Sequence, residues 1–219
     1  SFLGGGINNT TSATYAVIVG GCSGDVSANY GFIGNGKDNT VSGAGGVTTG
    51  GCKNTVSNSY GTIAGGRNNT VDGVLGAVGG GFTNKASSYS TISGGYCNSG
   101  SATCNFIGGG KKNCNNSGLG VIGGGCVNYA NGNLIFIGGG CCNEVINAHS
   151  TIAGGRLNKI CSQYAFIGGG ICNHASGSYS TVSGGYGNIA SGDCSAVGGG
   201  CGNTSSGTAS TVGGGCNNT

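Results

Sequence analysis

Residues 179–193 read YSTVSGGYGNIASGD, from Tyr179 to Asp193: small, polar and glycine-rich, with no charge before the last position. Alone, such a stretch has the composition of a flexible linker. Its surroundings overturn that reading, because the chain says nearly the same thing fifteen residues earlier and fifteen residues later.

Aligned on the residue two before each glycine pair, the chain falls into fifteen units, centred on Leu3, Ile18, Ile33, Thr48, Ile63, Val78, Ile92, Ile107, Ile122, Ile137, Ile152, Ile167, Val182, Val197 and Val212. Every step is fifteen residues except Val78 to Ile92, which is fourteen. Counted from the centre, position +3 is Gly in all fifteen units, and +2 is Gly in all but one, where Asn35 stands. Position +6 is Asn in fourteen: Asn9, Asn39, Asn54, Asn69, Asn84, Asn98, Asn113, Asn128, Asn143, Asn158, Asn173, Asn188, Asn203 and Asn218, with Gly24 the exception. Position +8 is mostly small and apolar, as at Val41, Val71, Ala130 and Ala190.

This period excludes helices, since each interior Gly costs about 1 kcal/mol relative to Ala and every unit carries a pair. Each unit reads instead as two short strands joined by turns: the residues before the Gly cluster, then the Asn-x-Ala segment, then a Ser-Gly corner. Stacked units pair equivalent strands in parallel about 4.8 Å apart, so every position becomes a ladder and a unit buries its apolar residues against copies of itself. The expected fold is all-β, a parallel β-solenoid or β-roll of about fifteen 15-residue coils over residues 1–219, in one array. Starting in mid-pattern without Met, the chain is expected to be a segment of a longer protein. Glycine at +2 and +3 supplies positive φ at a tight corner. The Asn column is expected to hydrogen-bond backbone at a bend and to form an amide ladder, a structural role.

Composition agrees with regular use of glycine. There are 55 Gly among 219 residues, no Pro, 36% apolar and 6% charged residues, which fits neither a charge-solvated disordered chain nor collagen. The net charge of +3 comes from eight scattered bases against five acids, with no basic run or basic face that could track a phosphate backbone, so nucleic acid is not an expected partner. No apolar run approaches the length of a membrane span, and SFLGGG has no signal-peptide character.

Two longer rhythms overlie the repeat. At −1, Thr91, Val121, Thr151, Thr181 and Thr211 alternate with Ala77, Phe106, Phe136, Phe166 and Ala196, a thirty-residue rhythm. A coil is therefore either fifteen residues with large and small side chains interleaved or thirty with Phe on Phe; complete turn signals within one unit favour fifteen. At +4, Arg67, Tyr96, Cys126, Arg156, Tyr186 and Cys216 recur after about ninety residues, as tandem duplication would leave them. Tyr15, Tyr30, Tyr60, Tyr89, Tyr164 and Tyr179 all fall at −3, where stacking is expected. The first strand is apolar on both parities, small and aliphatic at −2 and 0, Tyr and Phe at −3 and −1. A strand apolar on both faces is usually covered on both, so association with another copy is expected.

The run YSTVSGGYGNIASGDCSAVGGGCGNTSSGTASTVGGG, from Tyr179, resembles the head repeats of YadA-like trimeric autotransporter adhesins and similar Gly/Asn/Ser-rich surface-fibre β-solenoids. The resemblance implies a β-roll bundled in threes at a bacterial cell surface; repeats of this kind equally suit a fibre on a virion. This chain departs from that family in its fifteen-residue period, its Gly pair, its Asn column and its thirteen cysteines.

Among the cysteines, Cys22, Cys52, Cys126, Cys141, Cys201 and Cys216 share +4, and Cys97, Cys142 and Cys172 share +5. Equivalent positions in consecutive coils lie within disulfide reach, making Cys126 with Cys141 and Cys201 with Cys216 candidate bridges and an extracellular location the expectation. An odd count leaves at least one thiol free or paired between chains. The histidines, His149 and His174, occupy unrelated columns, no Cys-x-x-Cys occurs, and no metal or other cofactor is expected. The acids Asp25, Asp38, Asp72, Glu144 and Asp193 are spread over the length of the chain, so no catalytic set is indicated. GGGKKN, Gly108 to Asn113, lacks the spacing of a phosphate loop. Asn8, Asn68, Asn203 and Asn217 begin glycosylation sequons, three of them at the variable position +5.

The function expected from these features is structural: a rigid surface rod or fibre on a cell or virion, not an enzyme, assembling with copies of itself as a trimer, bundle or axial filament. A host-surface or glycan ligand is a further expected partner, with no nucleic acid and no membrane insertion. The alternative is an ice-binding solenoid, against which Phe106, Phe136 and Phe166 interrupt the Thr column. A polysaccharide-active β-helix enzyme would need clustered acids.

Overall fold

In the computed structural model, which describes residues 1–219, every complete coil holds two strands of two residues each, at positions −1 and 0, as in Thr62–Ile63, and at +7 and +8, as in Thr70–Val71. A third, isolated bridge forms at +4, where Arg67 pairs with Phe82. The chain divides into two compact units, Ser1–Lys111 and Lys112–Thr219, and each is a parallel β-solenoid. In the first, strands from Phe2–Leu3 to Phe106–Ile107 stack as one sheet and those from Thr10–Thr11 to Ser99–Gly100 as another. In the second, the corresponding sheets run from Val121–Ile122 to Thr211–Val212 and from Cys114–Asn115 to Thr204–Ser205.

Register settles the coil length. Phe136 pairs with Thr151 and Thr151 with Phe166, so the coil is fifteen residues with large and small side chains interleaved. The fourteen-residue step keeps this register, since Val71 pairs with Ala86 and Ala77 with Thr91. The missing residue comes out of the corner after the second strand, where Ser87 and Ser88 replace Asp72, Gly73 and Val74. Corners tolerate length changes that strands do not.

Strand amides donate to the next coil, as Thr62 N–H does to Gly76 O at 2.9 Å. Two residues per coil reverse this. Positions −3 and +5 adopt left-handed φ, as at Tyr60 (58°) and Asn68 (55°), which turns their N–H groups back to the preceding coil, onto Ala44 O and Cys52 O. Gly at +3 has no alternative: at Gly66, with φ of 84°, a Cβ would sit 2.2 Å from Gly81 O and 2.7 Å from Asn69 Nδ2.

The core is two aliphatic columns, 0 and +8, with −2 between them. Ile63, Val71, Ile152 and Ile160 are fully buried. Volumes at +8 and −2 compensate in the first unit. Val71 is followed by Gly76, Ala86 by Ser90 and Gly100 by Asn105, so the side chain at −2 grows as the one at +8 shrinks. A Cβ on Gly61 would lie 2.7 Å from Val71 Cγ1, and one on Gly100 would lie 2.3 Å from Asn105 Oδ1. This is the close packing that interiors require.

Candidate functional site

The geometry of the Asn column is structural. Asn143 Nδ2 donates to Gly139 O of its own coil and to Gly155 O of the next, both at 2.9 Å. Its Oδ1 accepts the Asn158 N–H at 3.1 Å. With no exposed surface and both amide ends committed, the side chain is a fastener between coils. The same bonds recur at Asn54, Asn69, Asn128, Asn158, Asn173, Asn188 and Asn203. The expected amide-to-amide ladder is local, joining Asn69 to Asn84 to Asn98 and Asn203 to Asn218. Gly24 supplies only an N–H, donated to Asn9 Oδ1. Burial also removes Asn203 from the glycosylation candidates, whereas Asn8 and Asn217 are exposed and Asn68 is half-buried, all three at left-handed corners.

The outer face of the first sheet is different. Phe106, Phe136 and Phe166 stand at −1 with 39%, 44% and 40% of their surface exposed. Two of these rings lean along their strands over position +1: Phe136 Cε1 lies 3.4 Å from where a Cβ on Gly138 would be, and Phe166 stands likewise against Gly168. All five Phe at −1 have Gly two residues on, at Gly4, Gly34, Gly108, Gly138 and Gly168. Beside this column the −3 aromatics stack, Tyr15 on Tyr30 with centroids 5.0 Å apart, His149 on Tyr164 at 4.8 Å and Tyr164 on Tyr179 at 4.9 Å. Because neighbouring rings occupy each other's faces, this edge presents ring rims and hydroxyls. Threonines at −1 do not form a continuous hydroxyl lattice, since Phe166 separates Thr151 from Thr181 in register.

Cysteines line the +4/+5 corner. Cys126 faces Cys141 and Cys201 faces Cys216 in adjacent coils, the pairings read from the repeat, and all thirteen cysteines are thiols in the structure. Cys141 Sγ is also 3.2 Å from Cys142 Sγ, and that contact, with burial, pushes the Cys141 thiol above the ordinary range. A thiol held protonated is a poor nucleophile. Repeat columns hid one further pair. His174 at +7 and Cys161 at +9 of the preceding coil bring Nε2 and Sγ to 3.3 Å, beside the Lys159–Glu144 ion pair at 3.0 Å. Burial lowers the His174 pKa and raises that of Cys161, so the pair is held neutral. No three of His, Cys, Asp and Glu gather as a metal site would require.

The bases are not scattered as the linear sequence suggests. Six of eight, Lys37, Lys53, Arg67, Lys111, Lys112 and Arg156, stand at +4 or +5. The remaining two, Lys85 and Lys159 at +7, are those in ion pairs, with Asp72 at 2.8 Å and Glu144 at 3.0 Å.

Fold and surface together define a β-solenoid repeat protein whose fastening residues lie inside and whose aromatic, thiol and basic columns lie outside. Compared with known proteins, the chain matches no family model and no curated sequence.

Proposed function

We propose that this chain is a structural, non-enzymatic repeat protein that associates with copies of itself through the outer face of the first sheet, as part of a fibre at the surface of a cell or virion. One observation carries the reading: a sheet face whose −1 column keeps large aromatic side chains two-fifths exposed in alternate coils. Such a face gains about 25 cal/mol per Å² of apolar surface removed from water. A second copy suits it best, because the Phe–Thr–Phe corrugation has a two-coil period that only an equally periodic face matches, with the Phe of one copy seated over the Thr or Ala of the other.

Sedimentation velocity over a range of concentrations tests this on the whole chain. The unaltered protein is expected to associate, and Phe136→Ser with Phe166→Ser to shift it towards monomer without loss of β circular dichroism. A wild-type chain that stays monomeric throughout contradicts the reading, and so does association that the double variant leaves unchanged.

A further inference from the structure

The +4/+5 corner of the Ser1–Lys111 unit joins residues that lie far apart in sequence into one line. Parallel bridges run in register from Lys37 to Cys52, Arg67, Phe82, Tyr96 and Lys111. Lys53 stands next to Cys52, so three successive coils each present a cation, about 4.8 Å apart. Lys37, Lys53, Arg67 and Lys111 are all exposed, and none is in an ion pair, whereas Lys85 of the same unit is paired with Asp72. Asp38 beside Lys37 is the corner's one acid in this unit.

The aromatic part of the line narrows the ligand. Phe82 and Tyr96 stack on each other with centroids 5.4 Å apart, Arg67 lies 5.9 Å over Phe82 and Lys111 lies 5.8 Å from the centre of Tyr96. Both rings are thereby occupied on both faces, which leaves no platform for the stacked bases that single-stranded nucleic acid requires. Duplex phosphates recur every ~3.4 Å along a strand, out of step with the coils, and an extended peptide sends side chains to one side every ~6.8 Å. A pyranose ring is about as long as one coil is tall.

We propose that this corner binds a linear anionic polysaccharide, laid along the stacking direction with its carboxylates or sulfates on Lys37, Lys53, Arg67 and Lys111. The site is separate from the −1 face and does not depend on self-association.

The test uses the whole chain and four probes: heparin as a sulfated polymer, polygalacturonate as a carboxylated one, oligo(dT) as single-stranded nucleic acid and neutral dextran. Binding to heparin or polygalacturonate is expected, weakening as salt rises, with dextran not bound and oligo(dT) bound more weakly. Lys37→Gln, Lys53→Gln and Arg67→Gln together are expected to lower affinity roughly tenfold or more, and Lys159→Gln to leave it unchanged. Amine labelling of the wild-type protein gives a readout that needs no variant: the polysaccharide should protect Lys37 and Lys53 relative to Lys85. Absence of binding to both polyanions, equal or tighter binding of oligo(dT), equal binding by the triple variant, or uniform lysine protection would each overturn the proposal.

Discussion

Asn143 holds three backbone groups at once, the carbonyls of Gly139 and Gly155 and the N–H of Asn158. Asn143→Ala would take the side-chain partner from the buried Asn158 N–H and from Gly139 O, while Gly155 O keeps the Cys141 N–H; a buried group left unpaired costs about 1–3 kcal/mol. We expect it to lower the denaturation midpoint far more than Ser or Thr changes on the surface, as urea titration would show. Thr48 is the converse case. It is fully buried in column 0, where the coils on either side carry Ile33 and Ile63, and its hydroxyl has no hydrogen-bond partner. Thr48→Val is expected to stabilise the protein by about 1–2 kcal/mol, read in the same titration. His174 supplies a pH dependence. Burial lowers its folded pKa, so on acidification the unfolded chain takes up this proton first. The histidine therefore costs stability as pH falls through the ordinary range near ~6.5 towards the lower folded value. His174→Gln should flatten that part of the stability–pH curve, and an unchanged curve would exclude the assigned burial.

At the scale of the element, the coil is set by facing columns. Gly61 shows the constraint, since any Cβ there would strike Val71 Cγ1 at 2.7 Å and Val56 Cγ1 at 2.8 Å. Gly61→Ala should cost about 1–3 kcal/mol. Much of that should disappear in a background carrying Val56→Ala and Val71→Ala, a coupling that a mutant cycle measures and that an additive result would deny. This also marks how much the sequence discloses. Gly66 and Asn69 were legible because each repeats at one fixed position, so a single aligned column exposes it. The exchange of volume between +8 and −2 was not, because it links two columns that meet only once the corners are folded. For the same reason the bases looked scattered: Lys37, Lys53 and Arg67 are separated by fifteen residues or nearly so, and only stacking makes them neighbours. Cys161 and His174 likewise belong to different columns and meet across a coil boundary. The aromatic face was half legible. Parity along the first strand put Phe136 and Phe166 outward, but the Gly beneath each ring gains meaning only from the ring's lean along the strand.

For the molecule as a whole, stability is expected to be a sum over neighbouring coils, because each one contacts chiefly the coils before and after it. Cost should therefore depend on where a coil lies: the same Asn→Ala change at Asn218, where exposure is greater, should matter less than at Asn143. Self-association and polysaccharide binding both depend on the same premise, that equivalent positions fifteen residues apart meet side by side. Through-space NMR contacts on isotope-labelled protein test that premise most directly. The account predicts interstrand contacts between residues i and i+15 along both strand columns, including Thr62 with Ala77, Phe136 with Thr151 and Thr151 with Phe166. Contacts from Phe136 to Phe166 without those to Thr151, or a pattern of i to i+3 and i+4 contacts, would contradict it.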